Sequence, residues 1–244
     1  MSEESAAVRL ERYRDAWRAM PGVDAGAALP DAQQIEQIWR FSDFAAQTCL
    51  RNPQLLAELH ADGALARAYR GGEMASRLAA ALEGVEDEAG LESGLRRYRQ
   101  PEMLRNIWRD MLGAATIEET LEDLSELADV CIREGLARLY AWATAKSGVP
   151  RAADGSPQQL IVLGMGKLGA RELNLSSDID LIFCFAEHGR TDGARALENE
   201  QFFTRLGRQL VNVLSKQTAD GFVFRVDMRL RPFGDSGPLV ATYD

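Results

Sequence analysis

The sequence predicts an α+β protein, with a helical bundle over residues 1–150 followed by a sheet-containing core over residues 151–244. Three observations carry this reading. Apolar residues recur at three- and four-residue spacings as far as residue 146, and strand-like runs replace them after residue 158. Between the two lie Ser147-Gly148-Val149-Pro150 and Asp154-Gly155-Ser156-Pro157, which are chain breakers. Charge divides at the same place. Residues 1–154 hold 18 Lys and Arg against 26 Asp and Glu, and residues 155–244 hold 10 against 11.

Taken in order, the first clear stripe follows Pro30-Asp31, where Ile35, Ile38, Trp39, Ser42, Ala46 and Cys49 share one helical face. Leu55, Leu56 and Leu59 follow Pro53, and Met103, Leu104, Ile107, Trp108 and Met111 follow Pro101 in the same manner. Leu121, Leu124, Ala128, Cys131 and Leu139 mark a long helix. Its start carries a capping box, in which the Thr116 oxygen accepts a first-turn N–H while Glu119 reaches back. Beyond the breakers, Leu160-Ile161-Val162-Leu163 reads as a short buried strand, and Asp178 to Phe185 as a second, apolar on both faces past its first residues. Ala196 to Lys216 reads as a helix with Phe202, Phe203, Leu206, Leu210, Val213 and Leu214 inward. An Asp220-Gly221 turn then leads into a strand over Phe222 to Arg231. There Phe222, Phe224, Val226, Met228 and Leu230 alternate with Arg225, Asp227, Arg229 and Arg231, so three arginines and an aspartate share a face.

Composition narrows the function classes. With 244 residues, 46% hydrophobic and 27% charged, the chain has room for one large domain or two small ones. A net charge of −9 argues against a general nucleic-acid binder, because an acidic surface repels a polyanion. Cys49, Cys131 and Cys184 have neither disulfide-framework nor zinc-ligand spacing, and the first and second read as core. The start Met1-Ser2-Glu3-Glu4 lacks the basic region of a signal peptide, and no apolar run approaches the roughly 18 residues of a membrane span. These features predict a cytoplasmic protein with no membrane partner. His60 and His188 have no nucleophile or second ligand at useful spacing. For Arg96, Arg97, Arg99, Arg105 and Arg109, a solvated face is the preferred reading over one turned to an active-site cleft.

Gly164-Met165-Gly166-Lys167-Leu168-Gly169 admits two phosphate-binding readings and a bland one. The spacing fits a dinucleotide fingerprint, with Glu187 near the distance of a ribose-binding acid, yet Ala170 to Ser177 is too short and polar for a crossover helix. The glycines could also make nothing more than a tight turn. The preferred reading joins Gly166-Lys167 to Ser177-Asp178-Ile179-Asp180. Asp178 and Asp180, two apart on a strand, project to one face about 6.5 Å apart, a spacing that suits hard divalent cations such as Mg²⁺. Asp227 becomes a third carboxylate if its strand lies alongside, with Arg229 and Arg231 flanking it to hold phosphate oxygens by paired hydrogen bonds. The backbone of Gly166-Lys167 would cradle phosphates, and the Lys167 ammonium would add charge.

The stretch from Gly164 through Gly169-Ala170-Arg171-Glu172-Leu173-Asn174-Leu175-Ser176-Ser177-Asp178-Ile179-Asp180 to Phe183 closely resembles bacterial glutamine synthetase adenylyltransferase, the bifunctional adenylyl-transferring and adenylyl-removing family. So does Asp227-Met228-Arg229-Leu230-Arg231-Pro232-Phe233-Gly234-Asp235-Ser236-Gly237-Pro238-Leu239. Residues 95–131 also look like the family's helical segment, whereas residues 1–94 are less distinctive. The resemblance implies a DNA polymerase β-like nucleotidyltransferase core with a mixed β-sheet, truncated at its C-terminal end. Its motif forms look like the N-terminal, adenylyl-removing copy. That copy is implied to remove AMP from a tyrosine of adenylylated glutamine synthetase by phosphorolysis, releasing ADP and so regulating nitrogen assimilation. By the same resemblance Asp178, Asp180 and Asp227 are the expected catalytic and Mg²⁺-binding triad for two ions, one activating the attacking phosphate and one stabilising the leaving phenolate. Gly166, Lys167, Ser177, Arg229 and Arg231 are the expected nucleotide and phosphate contacts. Implied partners are glutamine synthetase and, in the full-length enzyme, a PII-type signalling protein, with glutamine and 2-oxoglutarate as effectors whose sites the residues do not locate. Two alternatives stay open: adenylyl transfer from ATP to glutamine synthetase or another acceptor, and a catalytically silent module that binds a partner through its helical half.

Overall fold

A computed structural model describes residues 5–19, 29–219 and 221–242, so Asp220 of the expected turn lies outside the described residues. By internal contacts the chain falls into two compact units, Met1–Glu73 with Tyr98–Asp123, and Met74–Arg97 with Leu124–Asp244. Two long helices, α6 (Glu88–Met111) and α7 (Ile117–Ser147), contribute residues to both. The Ser147–Pro157 breakers lie within the second unit.

The first unit is helical. It contains α1 (Ala6–Arg18), α2 (Ala32–Phe41), α3 (Asp43–Arg51) and α4 (Gln54–Ala61). The stripe from Ile35 to Cys49, read as one helix, is two. Ser42 leaves helical geometry at φ −132° and its hydroxyl accepts the Ala45 N–H at 3.2 Å, so it ends α2 and caps α3. The expected apolar residues are nonetheless buried. Ile38, Trp39, Cys49, Leu56 and Leu104 join Leu10 and Tyr13 in one core, and Tyr13 meets Trp39 edge-on at 5.5 Å. Helix α6 runs through Pro101 rather than starting after it, with buried Tyr98, Met103 and Leu104 on its flanks.

The solvated-face reading holds for Arg97, which is exposed, and is corrected for Arg96, Arg105 and Arg109, which are buried. Arg105 is fully buried, lies 3.6 Å above the Tyr69 ring, and donates to the Ala64 and Arg67 carbonyls and to Asp123 at 2.5 Å. Arg109 is also buried and binds Glu119 at 2.6 Å and the Ala114 carbonyl at 2.9 Å. A guanidinium with five fixed donors can satisfy several loop carbonyls at once, which makes arginine suited to such burial. Half of the capping box forms. The Glu119 N–H donates to Thr116 Oγ1 at 3.2 Å, but the Glu119 carboxylate goes to Arg109.

The second unit holds all but the first residue of α5 (Glu73–Ala81), the first part of α6, most of α7 and a mixed four-stranded sheet. Strand β1 (Ile161–Met165) pairs antiparallel with β2 (Ile179–Phe185). A one-turn helix, α8 (Gly166–Gly169), connects the two. Antiparallel pairing removes the dinucleotide-fold reading, which needs parallel strands and a crossover helix. On its other edge β2 pairs in parallel first with β3 (Val226–Asp227) and then with β4 (Val240–Thr242). The twelve residues between β3 and β4 leave the sheet and return to it along the same edge.

Helix α9 (Asn199–Ser215) covers one face of the sheet. Ile179, Leu181, Phe183 and Phe185 of β2 are buried, and Phe203 packs 5.0 Å from Phe185. Close approach depends on Gly207, because a Cβ there would stand 2.9 Å from the Phe183 ring. Asp180, Ile182 and Cys184 alternate with the buried set and are only partly covered. Ile161 and Leu163 of β1 are exposed, so the second face is open and the expectation of strands buried on both faces is corrected.

Candidate active site

Each strand delivers its carboxylate through local geometry. Asp180, the second residue of β2, is the register partner of Met165 on one side and of Asp227 on the other. The pairing sets the Asp180 and Asp227 backbones side by side at the inter-strand spacing of about 4.8 Å. The residue after Met165 is Gly166, held at φ +53°, where a Cβ would lie 2.8 Å from Asp180 Oδ2. Only glycine fits this turn without displacing the carboxylate.

Asp178 lies immediately before β2 and is exposed. Its carboxylate accepts from Arg225 Nε, and the same arginine donates to the Ser176 carbonyl. Asp227 accepts from the Arg229 backbone N–H at 2.8 Å and from Arg229 Nε at 2.8 Å. The Asp227 side chain is 14% exposed and its partner 75%. Hydrogen bonds from Arg229 hold the Asp227 carboxyl below the usual carboxylate range. Lys167 donates to Ser177 Oγ at 3.3 Å, and Ser177 donates to Asn174 Oδ1 at 2.7 Å, so both expected phosphate contacts border the loop that enters at Asp178.

The ten-residue strand expected over Phe222 to Arg231 reduces to Val226–Asp227. Two uses of the backbone account for this. The N–H groups of Val223 and Phe224 both donate to the Leu214 carbonyl at 2.9 Å, which spends them on the end of α9. After Asp227, the bond from the Arg229 N–H to the Asp227 carboxylate turns the chain away from the sheet. The alternation fails as a result: Val223 is buried and Leu230 is exposed. Arg231 does not share the face of Arg229. Its side chain is 13% exposed and donates from Nη1 to the Met228 carbonyl at 2.7 Å.

Several residues have a supporting role that the sequence reading did not give them. Arg171 sits at φ +59° and reaches Glu126 at 3.1 Å and Asp129 at 2.8 Å, while the Leu173 N–H donates to Ser125 Oγ at 3.2 Å. These bonds tie the segment before Asp178 to α7. Buried Arg96 donates to the Lys216 carbonyl at 2.6 Å and to the Gly221 carbonyl at 3.1 Å, where a cation also meets the negative end of α9. Glu92 accepts from Asn212 at 2.9 Å and from Lys216 at 3.0 Å. This clamp fixes the segment that delivers Arg225 and Asp227. The only signal in the sequence is charge on otherwise apolar helical positions.

Among the described residues no group of three or more His, Cys, Asp or Glu side chains is gathered as a preformed cation site. The donor set is nevertheless of the kind Mg²⁺ prefers, being carboxylate oxygens. Arg225 and Arg229 supply the positive charge that balances Asp178 and Asp227.

A family model described as glutamate-ammonia ligase adenylyltransferase matches residues 32–244. The chain belongs to the glutamate-ammonia ligase adenylyltransferase family. Among curated relatives it is 53% identical over 212 residues to the bifunctional glutamine synthetase adenylyltransferase/adenylyl-removing enzyme of Thioalkalivibrio sulfidiphilus, covering 87% of this chain and 22% of that protein. It is 51% identical over 234 residues to the protein of the same name from Pseudomonas aeruginosa, covering 92% and 24%. The one from Shewanella loihica is 44% identical over 234 residues, covering 96% and 24%. The chain thus spans about a quarter of the length of the family members it matches. Asp178, Asp180 and Asp227 all lie within the matched span, as do Gly166 and Lys167.

Proposed function

We propose that this chain carries the adenylyl-removing half of the family's chemistry on a core of the DNA polymerase β type. In this reaction an oxygen of inorganic phosphate attacks the phosphorus of a tyrosine-linked AMP on glutamine synthetase. The bond from phosphorus to the tyrosine oxygen breaks, the phenolate leaves and takes a proton from water, and the product is ADP. The observation that carries the reading is the side-by-side register of Asp180 and Asp227, with Asp178 two residues before Asp180 and the Gly166 turn against Asp180. The motif forms around Gly164–Gly169 and Arg231–Leu239 favour the removing copy over the transferring one.

The residues divide the work. Asp178, Asp180 and Asp227 would hold Mg²⁺, which when bound supplies positive charge to the phosphoryl oxygens in flight and to the departing phenolate. Arg229, mostly exposed and hydrogen-bonded to Asp227, would turn from that carboxylate to a phosphate oxygen. Lys167 and the Gly166 backbone stand at the opposite edge of Asp180, and Ser177 holds Lys167 in place. Arg231 braces the loop through the Met228 carbonyl. A tyrosine phenol ionises near pH 10, so its phenolate departs without a dedicated general acid. Glutamine synthetase is the protein substrate on this reading, with a PII-type protein and the effectors acting on the full-length enzyme.

The test is to incubate the chain with adenylylated glutamine synthetase, Mg²⁺ and inorganic phosphate. ADP release is expected, and it should fall at least about a hundredfold in Asp178→Asn or Asp180→Asn if electrostatic stabilisation by the bound cations is lost. AMP transfer from ATP to the unmodified synthetase would establish the transferring reaction instead. A chain that neither turns over nor binds Mg²⁺-nucleotide would be a silent binding module.

A further inference from the structure

We propose that Phe233 is an aromatic platform on which the base of the adenine nucleotide stacks. The inference rests on the nucleotidyltransferase reading and extends it to a residue that the reaction chemistry does not require. Phe233 has φ +62° and ψ 15°, in the left-handed region that a bulky side chain enters only at a cost. Its side chain is also 83% exposed, so burial gives almost nothing back. Neither the backbone nor the ring therefore benefits the folded chain, and the ring's interaction lies outside it.

The loop holds this conformation with its own bonds. The Gly234 N–H donates to the Arg231 carbonyl at 2.9 Å, Ser236 Oγ donates to the Phe233 carbonyl at 2.7 Å, and the Gly237 N–H donates to the Gly234 carbonyl at 3.2 Å. The tip folds back on the start of its own loop, where the Cβ position of Gly234 lies 3.7 Å from the Arg229 carbonyl oxygen. A pre-set, solvent-facing ring thus stands four residues along the chain from the exposed Arg229 guanidinium and six from Asp227. A ligand that matches both ends has a flat aromatic body and a phosphate tail, which is a nucleotide. A ring held rigidly before binding loses little freedom when a base lies on it.

The test measures binding of Mg²⁺-ADP and of Mg²⁺-pyrophosphate to the 244-residue chain by titration calorimetry, with thermal melting on the same samples. Phe233→Ala should weaken ADP about tenfold, within the range for removing one base-aromatic stack, and leave pyrophosphate, which has no base, unchanged. Phe233→Trp should hold ADP affinity within about twofold and respond to ADP by fluorescence. Phe233→Gly should melt no lower than the parent, because it removes the strained side chain. Equal loss for ADP and pyrophosphate, or no loss for either, would overturn the stacking role, as would a Phe233→Ala chain impaired only toward adenylylated glutamine synthetase. A parent chain that binds neither ligand would instead overturn the nucleotide reading on which the inference rests.

Discussion

Replacing Gly166 by alanine tests a close approach in the candidate site. The substitution has two costs with separate origins. At φ +53° an L-residue sits in the left-handed region, which costs about 1–2 kcal/mol. The new Cβ would also lie 2.8 Å from Asp180 Oδ2, roughly half an ångström inside an ordinary contact, so the carboxylate must move. Because the obstructing atom ends a side chain, it can turn aside at about 0.5–1 kcal/mol, the lower part of the range for residues in contact. The sum predicts a melting point about 3–12 °C lower for a chain of this size. A double-mutant cycle with Asp180→Ala separates the parts, since in that background only the backbone cost should remain. Urea denaturation of the four chains gives the coupling, and Mn²⁺ titration shows whether a displaced Asp180 loses cation affinity. An equal loss from Gly166→Ala in both backgrounds would refute the contact. Undiminished Mn²⁺ binding in the single variant would refute the claim that the turn positions a ligand.

Arg105→Met removes the charge that Asp123 and two carbonyls share, and about 3 kcal/mol of stability should go with it by urea denaturation, with Arg105→Lys intermediate because it keeps the charge but not the fork. Asp192 accepts from the Val149 N–H at 2.7 Å and from Arg151 Nε at 2.8 Å, and these bonds hold its carboxyl below the usual range. A lowered folded value means the contribution is present above the ordinary carboxylate pKa of about 4 and is lost as pH falls through the folded one. Asp192→Asn should therefore be less stable than the parent at pH 7, and the difference in urea midpoint should close toward pH 2; a gap that widened on acidification would contradict the sign.

What the sequence made legible was whatever depends on spacing. The helical stripes, the breakers, β1, β2 and α9 all follow from apolar period, and the pairing of Asp180 with Asp227 follows once two strands are placed together. Competition for single hydrogen bonds was not legible. Ser42 splits a continuous stripe because one hydroxyl can replace a helical acceptor. The Phe222–Arg231 segment alternates as a strand should, yet its N–H groups are spent on Leu214 and Asp227 instead of a ladder. The buried arginines escaped for a related reason. Charge pattern assigns Arg96 and Arg105 to water, and only the tertiary fold shows the carbonyls that take its place.

The return of the chain to β2 after its excursion has a mechanical consequence. Asp227 pairs opposite Asp180 and Val240 opposite Phe183, so the two ends of the twelve-residue loop are fastened three residues apart on one strand, about 10 Å along it. Such a loop is staked at both feet. Any movement it makes must leave Asp227 and Val240 where β2 holds them, so the segment that carries Arg229 and Phe233 stays tethered to the edge beside Asp180.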